Sequence, residues 1–295
     1  MIDFSQLPAL IILLMGMLYT TALLISILHT RNGFLRTDLG HLIFALLIAV
    51  IIGSIGVAIG IIGLVFYRNW FETTSLPNQA NTAFRFPMGI VIAVINFQIA
   101  MERYWLICRE ESVPKYVRFG IVGHAVVTNC VIVGCFFSAE TYIYRRPGGA
   151  WQPYIVLFCV LQYMLLSFGG IILLYSKTYL HVCKILREVK SSTHDDGNSA
   201  NLLRLRVFKN CIMMTLVFCS CYGPEAILIV YSLVTPGWKP PYWLDAFSNI
   251  VISCDSFLSP LLVMQMYSSF VVSDSIAVTL IRPTRISGSR KDTMA

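Results

Sequence analysis

Three ionisable side chains interrupt long apolar runs of this chain, where a charge is costly. Arg85 precedes the run that begins at Met88, Glu225 follows Pro224 in a second run, and Asp255 lies inside a third. Burying a charge without a counter-charge is strongly unfavourable. We therefore predict either an Arg85–Glu225 ion pair or a zwitterionic ligand that bridges the two, and we expect pairing in the empty protein.

A second charged group stands where the apolar run from Met88 ends, as Glu102-Arg103-Tyr104. Arg103 follows Arg85 by about five helical turns, so both share one helix face roughly 27 Å apart. Two alternatives stay open. Arg103 could be a membrane anchor that reaches lipid headgroups. Arg85 could be a loop residue, because Pro87 disfavours the helical conformation for Phe86.

The elements that position these residues are membrane-spanning helices. Of the 295 residues, 57% are hydrophobic and 13% are charged, which is too apolar for an ordinary soluble domain. The net charge of +7 comes from basic residues in short connections, so it indicates membrane topology and lipid contact, and we expect no nucleic-acid partner. The cysteines and the five histidines show no metal spacing and no converging catalytic set, so we predict neither a metal site nor an enzyme.

Seven runs are long enough to span a membrane. Most Lys and Arg residues, 17 of 22, fall on one side of these spans, which predicts an outside N-terminus and a cytoplasmic C-terminus. We expect an all-α seven-transmembrane bundle over residues 1–281, with a short amphipathic helix after the seventh span, and a short basic tail over residues 282–295. The predicted spans are Leu7 to Leu28, Leu39 to Phe66, Ala83 to Ile107, Tyr116 to Ala139, Pro153 to Cys183, Leu205 to Val234 and Tyr242 to Tyr267.

Motifs in three of these spans belong together. They are Glu102-Arg103-Tyr104 ending the third span, Phe218 six residues before Pro224 of Cys221-Tyr222-Gly223-Pro224 in the sixth, and Asp255-Ser256-Phe257-Leu258-Ser259-Pro260 in the seventh. With seven spans and an outside N-terminus, the chain resembles a divergent rhodopsin-like G-protein-coupled receptor. The resemblance implies a plasma-membrane receptor with an extracellular ligand and a cytoplasmic heterotrimeric G protein as partners.

The resemblance also implies a switch. In the family, the acid beside Arg103 restrains it at rest, and a kink at Pro224 allows the sixth helix to swing outward. A kink proline can also serve packing alone. The implied switch residues are Glu102, Arg103, Tyr104, Tyr175, Phe218, Pro224, Asp255, Ser259 and Pro260. The residues expected to contact the G protein are Arg109, Lys184, Arg187, Arg204, Arg206 and Lys209.

The sequence departs from the family at several switch positions. Val50 and Val263 stand where relatives have an acid and a tyrosine, and Arg204 stands where relatives often have an acid that grips Arg103. We hypothesise that Glu102 and packing alone hold the resting state, which raises basal signalling. Asp255 either supplies the missing carboxylate from the opposite wall or is protonated and bonded to a neighbouring helix.

The ligand expectation follows from Arg85, which stands where aminergic relatives carry an acid. A cation there favours an anionic or zwitterionic ligand, and a lipid is included. The seventh span holds no lysine, so no retinal Schiff base and no cofactor are expected. The alternatives are a seven-helix transporter or channel, or a receptor-like scaffold that does not signal. The predicted ligand site consists of Arg85, Met88, Gly89, Tyr222, Glu225 and Asp245.

Overall fold

The computed structural model of the chain is helical wherever it has regular structure. It describes residues 4–29, 37–73, 75–138, 151–192, 197–235, 238 and 240–281, but not the side chains of 4, 67–73, 75–78, 182, 185–192, 197–208, 210–211, 214, 218, 229, 233 and 263–281. In these residues a 3-10 turn, Phe4–Gln6, precedes eight α-helices. The helices are α1 (Leu7–His29), α2 (Asp38–Thr73), α3 (Ser75–Cys108), α4 (Lys115–Ser138), α5 (Gln152–Met164), α6 (Gly170–Ser192), α7 (Gly197–Val234) and α8 (Tyr242–Ile281).

The predicted fifth span is built from two helices. A π-helical turn, Leu165–Gly169, joins α5 to α6, and the residues at both junctions keep right-handed helical backbone angles. Helices α5 and α6 therefore form one continuous helix through the wider π-helical turn. Gly170 follows this turn and faces α3, where a Cβ would lie 2.6 Å from the Phe97 ring, so glycine permits the close contact of α6 with α3.

Within the described residues, six helical stretches are long and apolar enough to cross a membrane, so the protein is a multi-pass membrane protein. They are Leu7–His29, Asp38–Phe66, Gln79–Cys108, Lys115–Ser138, Gln152–His181 and Thr215–Ser232. These stretches correspond to the first six predicted spans.

The prediction of a separate short helix after the seventh span was wrong. Helix α8 continues without a break from Tyr242 to Ile281. The sequence after Pro260 contains no glycine or proline up to Ile281, so nothing local ends the helix there. The predicted basic tail, 282–295, lies outside the described residues.

Helix α3 is the central element. One apolar cluster packs its residues Ile92 and Ile99 against α2, and a second packs Ile90 and Val94 against α4 and α5. The helix includes Pro87 and begins at Ser75, so Arg85 is a helical residue and not a loop residue. Arg85 and Arg103 therefore lie near opposite ends of one bundle, which we call the Arg85 end and the Arg103 end.

Helices α1 and α8 approach each other closely at Gly16. A Cβ on Gly16 would lie 2.8 Å from Ser256 Cβ. One turn later, Thr20 Oγ1 lies 2.8 Å from the carbonyl oxygens of both Gly16 and Ser256, which share its single hydroxyl proton. This hydroxyl ties α1 to α8 without burying an unsatisfied donor.

Candidate functional site

A cavity of about 130 Å³ lies inside the bundle, bordered by α1, α2, α3, α5, the π turn, α7 and α8. Its wall is apolar over most of its extent, with the polar side chains grouped at a few places, as in sites for small molecules. Asp245 does not line it. Five of the six predicted ligand residues do: Arg85, Met88, Gly89, Tyr222 and Glu225.

Arg85 and Glu225 form an ion pair in the cavity wall. Arg85 Nη2 lies 3.1 Å from Glu225 Oε1, and the two side chains are 12% and 10% exposed. Ser248 of α8 donates its hydroxyl to the other carboxylate oxygen of Glu225. The pair therefore joins α3 to α7, and each charge has the counter-charge that its burial requires.

A chain of amides extends this pair towards the N-terminus. Asn249 Oδ1 accepts from Arg85 Nη2 at 2.9 Å, and Asn249 Nδ2 donates to Gln6 Oε1 at 3.1 Å. Gln6 Nε2 donates in turn to Asp245 Oδ2 at 3.1 Å. Asp245 is thus linked to the predicted site through Gln6 and Asn249, and Asn249 holds the guanidinium of Arg85.

Asp255 forms a second polar group in the cavity wall, apart from the Arg85–Glu225 pair. Its Oδ2 accepts from the Tyr222 hydroxyl at 3.0 Å, and its Oδ1 accepts from the Ser259 hydroxyl at 2.5 Å. The side chain is buried, so these two donors replace its hydration. Tyr222 belongs to α7, so Asp255 is bonded to a neighbouring helix, and its role in place of the missing acid stays a prediction. The Tyr222–Asp255 bond ties α7, two residues before Pro224, to α8, five residues before Pro260.

The acid of Glu102-Arg103-Tyr104 is held by groups that the sequence did not indicate. Glu102 Oε2 lies 2.8 Å from Arg118 Nη2 of α4 and accepts from the Val113 backbone N–H at 3.2 Å. The same Arg118 nitrogen lies 2.9 Å from Asp38 Oδ2 at the start of α2. Three helices are therefore joined at the Arg103 end through one guanidinium.

Arg103, Tyr104 and Tyr175 are further predicted switch residues, on α3 and α6. Arg103 is 2% exposed and Tyr104 is half-buried. Tyr175 of α6 is buried beside Ala100 of α3. The Phe218 side chain lies outside the described residues.

The expected G-protein contacts are described only in part. Arg109, Lys184 and Lys209 are exposed. The guanidinium carbon of Arg109 lies 4.4 Å from the ring centroid of Trp105, a cation–π geometry that orders it at the end of α3. The side chains of Arg187, Arg204 and Arg206 lie outside the described residues.

Sequence reasoning missed Gln6, Ser248, Asn249, Asp38 and Arg118. A signal existed for two of them, because Asp245, Ser248, Asn249, Ser256 and Ser259 recur at helical spacing and mark one polar face of α8. Nothing local marked Arg118 or Gln6, whose partners are distant in sequence. Their roles depend on which helices are neighbours.

Comparison with known proteins gives a structural match without a sequence match. No protein-family model and no curated protein matches the chain. The crystal structure of squid rhodopsin is similar over 95% of this chain and 87% of its own, with a TM-score of 0.65 and 13% sequence identity. The fold of this chain is therefore that of the rhodopsin-like G-protein-coupled receptors.

Proposed function

We propose that this protein is a seven-helix receptor of the plasma membrane, with its N-terminus outside, that transmits binding of an extracellular ligand to a heterotrimeric G protein. Its rhodopsin-like fold supports this proposal. So does the separation of its polar groups, because α3 carries Arg85 in a cavity near one end and Glu102-Arg103-Tyr104 at the other.

The Arg85–Glu225 ion pair is the observation that supports the proposed class of ligand. A ligand carboxylate or phosphate would replace Glu225 at Arg85, and a ligand ammonium would replace Arg85 at Glu225. The ligand is therefore small and anionic or zwitterionic. The apolar remainder of the wall accepts a hydrocarbon portion, which includes a lipid among the ligands.

The same pair suggests how binding moves the helices. It joins α3 to α7 immediately after Pro224, the point at which α7 lacks a backbone hydrogen bond. A ligand that inserts between Arg85 and Glu225 relaxes this tie. The ligand binds better when Arg85 and Glu225 are apart. Binding therefore shifts the population towards a state in which α7 swings away from α3 at the Arg103 end.

Nucleotide exchange on G proteins in membranes tests the proposal. The panel of compounds contains carboxylates, amino acids and lysophospholipids. Each compound is tested on the wild-type protein and on the variants Arg85→Gln, Arg85→Lys and Glu225→Gln. We expect a responding anionic compound to lose potency with Arg85→Gln and to retain most of it with Arg85→Lys. An undiminished response of Arg85→Gln would remove the anionic-ligand proposal.

Topology and transport are tested on the same preparation. An N-terminal epitope tag should be accessible from outside intact cells, and a C-terminal tag only after permeabilisation. Radiotracer flux through the purified protein, without nucleotide exchange, would assign a transporter. A protein with neither activity would be a scaffold.

A further inference from the structure

A line of hydrogen-bonded side chains supports Arg85 from outside the cavity wall. It runs from Arg85 through Asn249 and Gln6 to Asp245, with contacts of 2.9, 3.1 and 3.1 Å. Asn249, Gln6 and Asp245 are 1%, 2% and 7% exposed, and none of the three lines the cavity. The polar groups in this line therefore depend on each other rather than on bulk water.

The two ends of the line fix the direction of the two amides between them. A guanidinium only donates hydrogen bonds and an ionised carboxylate only accepts them, whereas an amide side chain does both. Arg85 requires the oxygen of Asn249, which leaves Asn249 Nδ2 for the oxygen of Gln6. Gln6 Nε2 then meets the carboxylate of Asp245. If either amide turned over, two donors or two acceptors would face each other.

Gln6 secures the amide of Asn249. Without Gln6, the buried Asn249 Nδ2 loses the acceptor that the structure gives it, and Asn249 can turn away from Arg85 to find another. Arg85 Nη2 lies 2.9 Å from Asn249 Oδ1 and 3.1 Å from Glu225 Oε1, so this nitrogen contacts both oxygens. When an anion takes the place of Glu225, Asn249 still holds the nitrogen in position.

We propose that Gln6 is a positioning residue for the anion-binding Arg85 and acts through Asn249, while Asp245 fixes the amide of Gln6 itself. The anion comes from the proposed function, on which this role rests. A guanidinium already held in position loses less side-chain freedom on binding, so the line raises affinity. Gln6 ends the turn Phe4–Gln6, and this turn is thereby coupled to a cavity that Gln6 does not line.

Binding of octanoate to the purified full chain in lipid nanodiscs, measured by isothermal titration calorimetry, tests this role. Octanoate carries one carboxylate for Arg85 and a hydrocarbon chain for the apolar wall. Gln6→Met keeps the length of the side chain but has no amide, and we expect it to weaken octanoate binding roughly tenfold. In an Asn249→Ala background, Gln6→Met should change the affinity less than about twofold, because Arg85 has already lost this support.

Gln79→Met is the matched control. Gln79 is 5% exposed and donates to the Phe136 carbonyl oxygen of α4 at 3.4 Å, so its replacement also removes a buried amide and should leave octanoate affinity unchanged. Gln6→Glu combined with Asp245→Asn is the rescue variant. The new carboxylate accepts from Asn249 Nδ2 and from the amide introduced at position 245, so most of the wild-type affinity should return.

Thermal unfolding without ligand measures the same coupling. We expect Gln6→Met to lower the midpoint by about 4 °C in wild type and by less than half as much in an Arg85→Gln background. A glutamine at position 85 both donates and accepts, so it does not require the oxygen of Asn249. Because Gln6 carries no charge, this coupling does not come from direct attraction between charges. Gln79→Met should cost the same in both backgrounds.

Two results would overturn the role of Gln6. One is equal octanoate affinity of Gln6→Met and wild type, in a protein that loses octanoate binding with Arg85→Gln. The other is additive shifts of the midpoint for Gln6→Met and Arg85→Gln. Octanoate binding that is absent from wild type, or is unaffected by Arg85→Gln, would instead contradict the proposed anionic ligand, and the unfolding experiment would then decide whether Gln6 positions Arg85.

Discussion

Arg118 Nη2 lies 2.8 Å from Glu102 Oε2, so a helix next to its own holds the acid of the Glu102-Arg103-Tyr104 motif. Asp38 shares the same nitrogen at 2.9 Å. Glu102 is 1% exposed, whereas the Asp38 side chain is 47% exposed. The two halves of this cluster should therefore differ in strength.

Arg118→Gln should destabilise the protein by about 2 kcal/mol, because it leaves the buried Glu102 carboxylate without its charged donor. Asp38→Asn should cost less than about 1 kcal/mol, since water screens an exposed pair. Thermal unfolding in detergent, followed by tryptophan fluorescence, measures both. A larger cost for Asp38→Asn would contradict this account.

Glu102→Gln should raise basal nucleotide exchange above that of wild type. The amide lacks the charge that attracts Arg118, so the tie from α3 to α4 weakens. Wild type itself should have measurable basal exchange, since Arg204 stands where relatives often have an acid. A silent wild type and an equally silent Glu102→Gln would count against the hypothesis.

Arg85→Gln and Glu225→Gln should each destabilise the protein, by about 3 kcal/mol, because each leaves the opposite charge buried and unpaired. The double variant should lose less free energy of unfolding than the two single variants lose together. A double-mutant cycle on thermal unfolding gives the coupling. Additive costs would show that the pair contributes no stability.

Asp255→Ala should cost about 2 kcal/mol more than Asp255→Asn. Alanine leaves the Tyr222 and Ser259 hydroxyls without their acceptor, whereas the asparagine side chain keeps one carbonyl oxygen. The difference in thermal stability measures this contribution. Equal stability of the two variants would mean that these hydroxyls find other partners.

Gly16→Ala should destabilise the contact between α1 and α8 by about 1–3 kcal/mol, because the added Cβ would lie 2.9 Å from the Ser256 carbonyl carbon. Gly89→Ala is the matched control. No atom lies within 4 Å of the added Cβ there, and alanine favours the helix. If both variants unfold at the wild-type temperature, α1 and α8 are not in close contact at Gly16.

Part of the candidate site was predictable from the sequence. Charges are rare in apolar helices and must be paired, so Arg85 and Glu225 had few possible partners, and helical periodicity placed Arg85 on the face of Arg103. The polar face of α8 was readable in the same way, although the predicted site included only Asp245 and Ser259 of that face. Gln6, Asn249 and Arg118 act through partners far away in the chain.

The sequence by itself determined that apolar helices cross a membrane, because about twenty apolar residues in succession are stable only there. It also determined that the charges among them require partners. Tertiary structure alone decided that Arg118 holds Glu102, that Gln6 reaches Arg85 through Asn249, and that Asp255 bonds to Tyr222. These pairings depend on which helices are neighbours and how each is rotated about its axis, and packing of the whole bundle sets both.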